Sequence, residues 1–215
     1  TATGTGVGKT HVAVALARAL ATRGPVVAWK PVESGVTGPL GDDEAALAAV
    51  SAVHAPTLRL SAPLSPHLAA RRAGLVLDPG ALHRQLVDLA TAWPTLVVEL
   101  AGGLCSPLDD EIDHAGWLEA LPAGLRPRLR LVLVAPDRLG VLHDVTAALH
   151  AAAAHGLSVD AVALSAPAIP DASTGTNAAE LSARPMTRGR TIVTVPRAPS
   201  TDLAGHPALA ALVAA

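Results

Sequence analysis

The sequence predicts an α/β fold in three layers, with a mostly parallel sheet covered by helices on both faces. Three observations carry that expectation. Helix-like and strand-like segments alternate along the 215 residues. The strand-like runs are continuously apolar rather than alternating, as strands covered on both sides must be. A glycine-rich stretch, Thr3-Gly-Thr-Gly-Val-Gly-Lys-Thr10, leads straight into an Ala/Leu helix, the arrangement of a phosphate-binding loop (P-loop) in such sheets.

Taken in order, residues 10–23 read as the first helix, stopped by Gly24. Residues 26–29 form a short apolar strand. Residues 42–53 form a second helix, with Asp42, Asp43 and Glu44 in the first turn, where the macrodipole favours acids. A third helix covers 79–93, with Asp78 as its N-cap and Pro79 at its first position. Runs 96–100 and 129–135 have strand length and strand composition. Residues 139–155 form another helix ended by Gly156, followed by a strand over 159–164. The last strand is 191–195, and a short Ala/Leu helix follows it. Segments 54–66, 101–110 and 165–177, rich in Pro, Ser, Gly and Asp, read as loops. No repeat and no dividing linker are visible, so 1–215 is expected to be a single P-loop domain. A strand is expected ahead of the glycine-rich loop; it would precede Thr1 and lie outside the given sequence.

Composition narrows the partners. Hydrophobic residues make up 50% and charged residues 16%, which excludes a disordered chain. The net charge is −2 with scattered Lys and Arg, so the basic footprint of a nucleic-acid binder is missing. Phe and Tyr are absent and Trp numbers three, which removes base-stacking platforms. The single cysteine, Cys105, excludes an intrachain disulfide and a multi-cysteine zinc site. No apolar run approaches the ~20 residues of a membrane span, and no secretory leader is visible. A cytoplasmic protein without membrane or nucleic-acid partners is expected.

The loop chemistry is direct. Successive backbone N–H groups of Thr5, Gly6, Val7 and Gly8, together with the helix start, make an anion cradle. Lys9 can reach terminal phosphates, and the Thr10 hydroxyl can ligate Mg²⁺. The spacing is a variant, because Thr3 stands five residues before Gly8, where the strict pattern has glycine.

Four further stretches follow in order: Trp29-Lys-Pro-Val-Glu-Ser-Gly35, Ser65-Pro-His67-Leu-Ala-Ala70, Val98-Glu99-Leu-Ala-Gly-Gly103 and Arg138-Leu-Gly140. With the phosphate loop they resemble the dethiobiotin synthetase family, which shows a TDTGVGKT-type loop, KPVxSG, SPH, VEGAGG and an RLG or KLG turn. The resemblance covers about residues 1–150. It implies an ATP- and Mg²⁺-dependent ligase, a homodimer, that converts 7,8-diaminononanoate and CO₂ into dethiobiotin through a carbamate and a carbamic-phosphate intermediate.

Carried over by position, Lys9 and Lys30 clamp phosphate and carbamate oxygens. Thr5 and Ser34 contact substrate, and Thr10, Asp43 and Glu99 form the Mg²⁺ shell. Ser165 and the segment Pro196-Arg197-Ala198 lie where the family contacts the base. Bottom-up, Lys30 follows an apolar strand, at what reads as an exposed strand end. Glu99 ends another, where open α/β sheets place ligands. Which of Asp42, Asp43 and Glu44 faces the metal stays open, and His67 reads equally as a helix-start residue.

The chain departs from the family pattern at Ala2 and Gly4, where Gly and Asp are usual. It departs again at Leu100, where Gly is usual, and at Ser165-Ala166, where an Asn-Asp pair reads adenine. After the Arg138-Leu-Gly140 turn it continues Val-Leu-His-Asp rather than Ile-Asn-His. Alternatives are a divergent P-loop homologue, either another small-molecule ligase or a nucleotide-binding module with altered base preference. A cobyrinate-amidase type would need a second domain, and a partition ATPase would need a lysine at Gly4.

Overall fold

The computed structural model describes residues 1–215. All strand pairing is parallel. β1 (Val26–Trp29) pairs with β4 (Thr95–Val98), and β2 (Val32–Ser34) pairs with β3 (Leu58–Leu60). β6 (Ala161–Ser165) lies between β5 (Val132–Pro136) and β7 (Thr191–Val195). The first residues of the chain join the second group, since Thr3 N donates to Val134 O at 3.0 Å and Val134 N to Thr1 O at 2.9 Å. The phosphate loop therefore leaves the sheet from a position beside β5. Below it, an apolar slot of about 600 Å³ separates β4 from β5, walled by Leu96, Val98, Leu129 and Leu131.

Strand alternation sorts the side chains into two layers. Val27, Trp29, Leu133, Ala135, Val162 and Leu164 face a large core with α4 (Pro79–Ala92), α5 (His114–Glu119), α6 (Val141–Ala154) and α7 (Asn177–Ser182). Their neighbours Val134, Ala161, Ala163 and Val195 face the opposite cluster. It holds α1 (Lys9–Ala21), α8 (Ser200–Leu203) and α9 (Pro207–Ala214). Val26, Ala28 and Val97 extend that second layer against α1 and α2 (Asp42–Ala48). The α1 face offers Val12, Ala15, Ala17 and Ala19, so small residues meet on both sides and helix and sheet approach closely. No helix is long and apolar enough to cross a membrane.

Buried indoles find polar partners. Trp29 Nε1 donates to Pro56 O at 2.8 Å, and Trp117 Nε1 to Pro79 O at 3.0 Å. Trp117 also stacks on His83, with ring centroids 4.7 Å apart.

The alternating pattern and the parallel strands agree with expectation. Several boundaries do not. The second helix ends at Ala48 rather than residue 53, because the chain turns back and Ala52 N donates to Val26 O at 2.8 Å. The run 129–135 becomes strand only at Val132, after a 3₁₀ turn over Arg126–Arg128. The supposed loop 54–66 contains β3 and leads into α3 (Pro66–Arg72). Strands of three residues are shorter than any visible periodicity.

Because Ala163 is fully buried in the second layer, Ala163→Leu should overpack the sheet and lower stability by about 1–3 kcal/mol in urea unfolding. A loss below about 0.5 kcal/mol, the range of surface changes, would show that this layer is loosely packed.

Candidate active site

The phosphate loop is shaped by glycine where only glycine serves. Gly8 has φ 90°, a left-handed conformation that strains any side chain, and a Cβ there would fall 2.4 Å from Ser165 Oγ. None of the backbone N–H groups of residues 4–11 has a partner within the protein; the α1 ladder begins with Val12 N to Gly8 O at 3.1 Å. Consecutive amides left open at a helix start are an anion cradle. The turn after β4 seals one side. A Cβ on Gly103 would meet Ala2 O at 3.1 Å and Gly4 N at 3.3 Å, so a side chain there would push the two backbones apart by a few tenths of an ångström.

Charged side chains converge beside the cradle. Lys9 is buried and folds back on its own loop, Nζ donating to Gly4 O at 2.9 Å. Burial lowers its pKa, with Glu99 opposing. The Lys30 ammonium lies 2.6 Å from Asp43 Oδ2 and 2.6 Å from Glu99 Oε1. Burial works against that charge, but Glu99 and Asp43 outweigh it and its pKa stands above the ordinary value. Asp43 is the counterpart: burial would raise its pKa, yet Lys30 and Thr10 hold it below the usual carboxylate value. Thr10 Oγ1 is 2.6 Å from Asp43 Oδ1 and 3.0 Å from Glu99 Oε1.

Two atoms in this region are buried and unpartnered, Glu99 Oε2 and Ser34 Oγ. A carboxylate oxygen buried without a donor is costly, and it fits a cation or a hydrogen-bonding ligand. The donor set of Thr10, Asp43 and Glu99 is all oxygen, the hard chemistry Mg²⁺ requires.

The acidic first turn of α2 resolves by helix spacing. Asp42 is exposed, Asp43 faces Thr10 and Lys30, and Glu44 turns the other way to Arg59 and His54. Lys30 is only 4% exposed, so the expected exposed strand end is corrected: the two carboxylates make its burial tolerable. Leu100, where glycine was the pattern, is accommodated by burial in the large core.

Ser165 ends β6 against Gly8, opposite Val195, and Pro196 follows on the neighbouring strand. Arg197 is exposed and Ala198 half-buried. His67 stands in the first turn of α3, outside the charged cluster.

Three groups escaped the sequence reading. His11 Nε2 lies 3.0 Å from Pro196 O and ties α1 to the segment after β7. His114 is buried, and burial lowers its pKa to about 4, leaving a neutral imidazole. Glu33 is buried against the start of α2. Only Glu33 had a signal, a carboxylate set between Val32 and Ser34 in a strand-forming run.

A family model described as an AAA domain matches residues 1–203. Three curated relatives are named ATP-dependent dethiobiotin synthetase. The protein of Nitrosospira multiformis is 36% identical, over 70% of this chain and 67% of its own length. That of a Caulobacter species is 39% identical, over 77% and 74%. That of Methylobacterium nodulans is 35% identical, over 75% and 77%.

The anchoring of α2 has a pH signature. Arg59 binds Glu44 through Nε and Nη2 at 2.5 and 2.7 Å, and Arg59 above all holds that carboxyl at about 2 against an ordinary 4.5. A depressed carboxylate pKa adds stability that is whole above about pH 4.5 and is lost as pH falls toward about 2. Arg59→Leu should therefore lower the urea midpoint at pH 7, and the gap from wild type should close as pH falls through that window. A gap unchanged down to the lower bound would mean that Arg59 acts through packing instead.

Proposed function

Because this chain belongs to the dethiobiotin synthetase family, we propose that it closes the ureido ring of dethiobiotin from 7,8-diaminononanoate, CO₂ and ATP. One amine of the substrate attacks CO₂ and loses a proton, giving a carbamate. A carbamate oxygen then attacks the γ-phosphorus as ADP leaves. The second amine attacks the resulting carbamic-phosphate carbonyl, expels phosphate and gives up its proton. The convergence of Lys9, Lys30, Asp43 and Glu99 beside the open amides of the phosphate loop is the observation that carries this reading.

The obstacle is charge, since a carbamate must meet a triphosphate. Lys9, bent over the loop, lies where it can hold nucleotide phosphates. Lys30, between two carboxylates, is a fixed positive charge for the oxygens that gain charge during transfer. Ser34, whose buried hydroxyl has no partner, would bind the carbamate end, and Thr5 of the phosphate loop would contact the substrate as well. Thr10, Asp43 and Glu99 would hold Mg²⁺, with the free Oε2 of Glu99 available to it. Mg²⁺ would neutralise the phosphate oxygens and orient them for in-line attack.

Ser165, Pro196, Arg197 and Ala198 form the proposed base side. There a hydroxyl replaces a paired amide, which favours relaxed base discrimination. A homodimer is part of the proposal, supported by the exposed apolar side chains of Leu139 and Ile169. A single domain over 1–215 and a cytoplasmic setting belong to it too.

Incubation with 7,8-diaminononanoate, bicarbonate and MgATP should yield dethiobiotin, ADP and phosphate in equal amounts; ATP hydrolysis without dethiobiotin would reject the ligase reading. The two lysines should separate. Lys9→Gln should weaken nucleotide binding and turnover together. Lys30→Gln should leave nucleotide affinity within about threefold while cutting kcat about a hundredfold or more, as loss of a charge-stabilising donor does. It should also lower the urea midpoint, because Asp43 and Glu99 lose their counter-charge. Wild-type turnover in Lys30→Gln would remove Lys30 from the mechanism.

A further inference from the structure

The helix that carries Asp43 has no cap of its own. Its N-cap residue is Gly41, which offers no side chain. Its first amides are instead satisfied from β2: Asp43 N donates to Glu33 Oε1 at 3.0 Å, and Glu44 N to Glu33 Oε2 at 2.8 Å. Both carboxylate oxygens are used, and Glu33 is 6% exposed. Gly41 is needed for space alone, because its φ is −76° and a Cβ there would fall 2.1–2.4 Å from the Glu33 carboxylate. Across the β2–β3 pair, Glu33 stands opposite Arg59, and Arg59 in turn grips Glu44. The helix start is thus held at two amides and one side chain.

Burying a carboxylate is an expensive way to cap a helix, since a Ser or Asp at position 41 would cap it locally. A local cap would not fix the distance between β2 and Asp43. Glu33 does, and β2 is the strand that follows Lys30 and ends at Ser34. The Asp43 carboxylate, so placed, reaches Thr10 Oγ1 and Lys30 Nζ, each at 2.6 Å.

We infer that Glu33 is a positioning residue for the reaction, holding Asp43 in register with Lys30 and Thr10 through the backbone amides of α2. This rests on the reading of Asp43 as part of the metal-nucleotide site. Loss of such a supporting contact typically lowers metal affinity or activity about 10–100-fold.

The test is calorimetric binding of ADP with and without Mg²⁺. Glu33→Gln preserves shape but turns an NH₂ toward one of the two amides. It should weaken Mg·ADP binding about tenfold or more, with metal-free ADP unchanged within about twofold. In an Asp43→Asn background the same substitution should add nothing, because both act through one carboxylate. Should Glu33→Gln fail to fold, Glu33→Asp keeps the charge, reaches only one amide and should show the same split. Equal weakening of both forms of ADP would mark Glu33 as merely structural and overturn the inference. Normal Mg·ADP binding in Glu33→Gln, with Asp43→Asn impaired, would overturn it and leave the site reading standing. Normal binding in Asp43→Asn would instead reject Asp43 as a site residue, and the inference with it.

Discussion

A buried ammonium between two carboxylates organises this molecule. Lys30 comes from the end of β1, Asp43 from α2 and Glu99 from the end of β4. Lys30 and Glu99 are buried, and neither could be so alone without a large desolvation cost, while Asp43 is partly open to solvent. Pairing offsets much of that cost while leaving one net negative charge, and the three tie two parallel strands and a helix at the edge where the phosphate loop emerges. Thr10 on α1 completes the junction. The two strands and two helices that carry the proposed metal and phosphate groups meet through this one contact.

The surrounding architecture keeps that junction rigid. Small residues on α1 and on the facing strands bring helix and sheet together, which sets the height of the loop above the sheet. Gly103 lets the turn after β4 pack against the backbone of the phosphate loop, and Gly8 lets the Ser165 side chain pack against the loop. The result is a polar cluster flanked by apolar layers, a setting in which preorganised charge is effective.

Much of this was legible in the sequence, and for physical reasons. Continuous apolar runs announced covered parallel strands, and the Gly8-Lys9-Thr10 string announced an anion cradle at a helix start. Glu99 was legible because a carboxylate adjoining a buried strand wants a partner, and Lys30 because it follows an apolar strand within the Lys30-Pro-Val-Glu-Ser-Gly35 stretch. The choice among Asp42, Asp43 and Glu44 was not, since it depends on the angle at which α2 lies against β2. The burial of Lys30 was hidden too, because it follows from partners 13 and 69 residues away. Glu33 shows in the sequence only as a carboxylate between Val32 and Ser34; its partners, the first amides of α2, become visible once that helix is folded over it. The three-residue strands β2 and β3 carry too few side chains for any period to show.

The absence of tyrosine, set beside the placement of the tryptophans, gives the protein an optical property. Ultraviolet emission comes from three indoles alone, without a phenol background. Trp117 is buried under a stacked imidazole and Trp93 is half-buried at the end of α4. Trp29 is 1% exposed and is covalently next to Lys30. Its indole lies in the large apolar core and donates to Pro56 O, so its emission is an intrinsic gauge of how that core packs behind the strand end that carries Lys30.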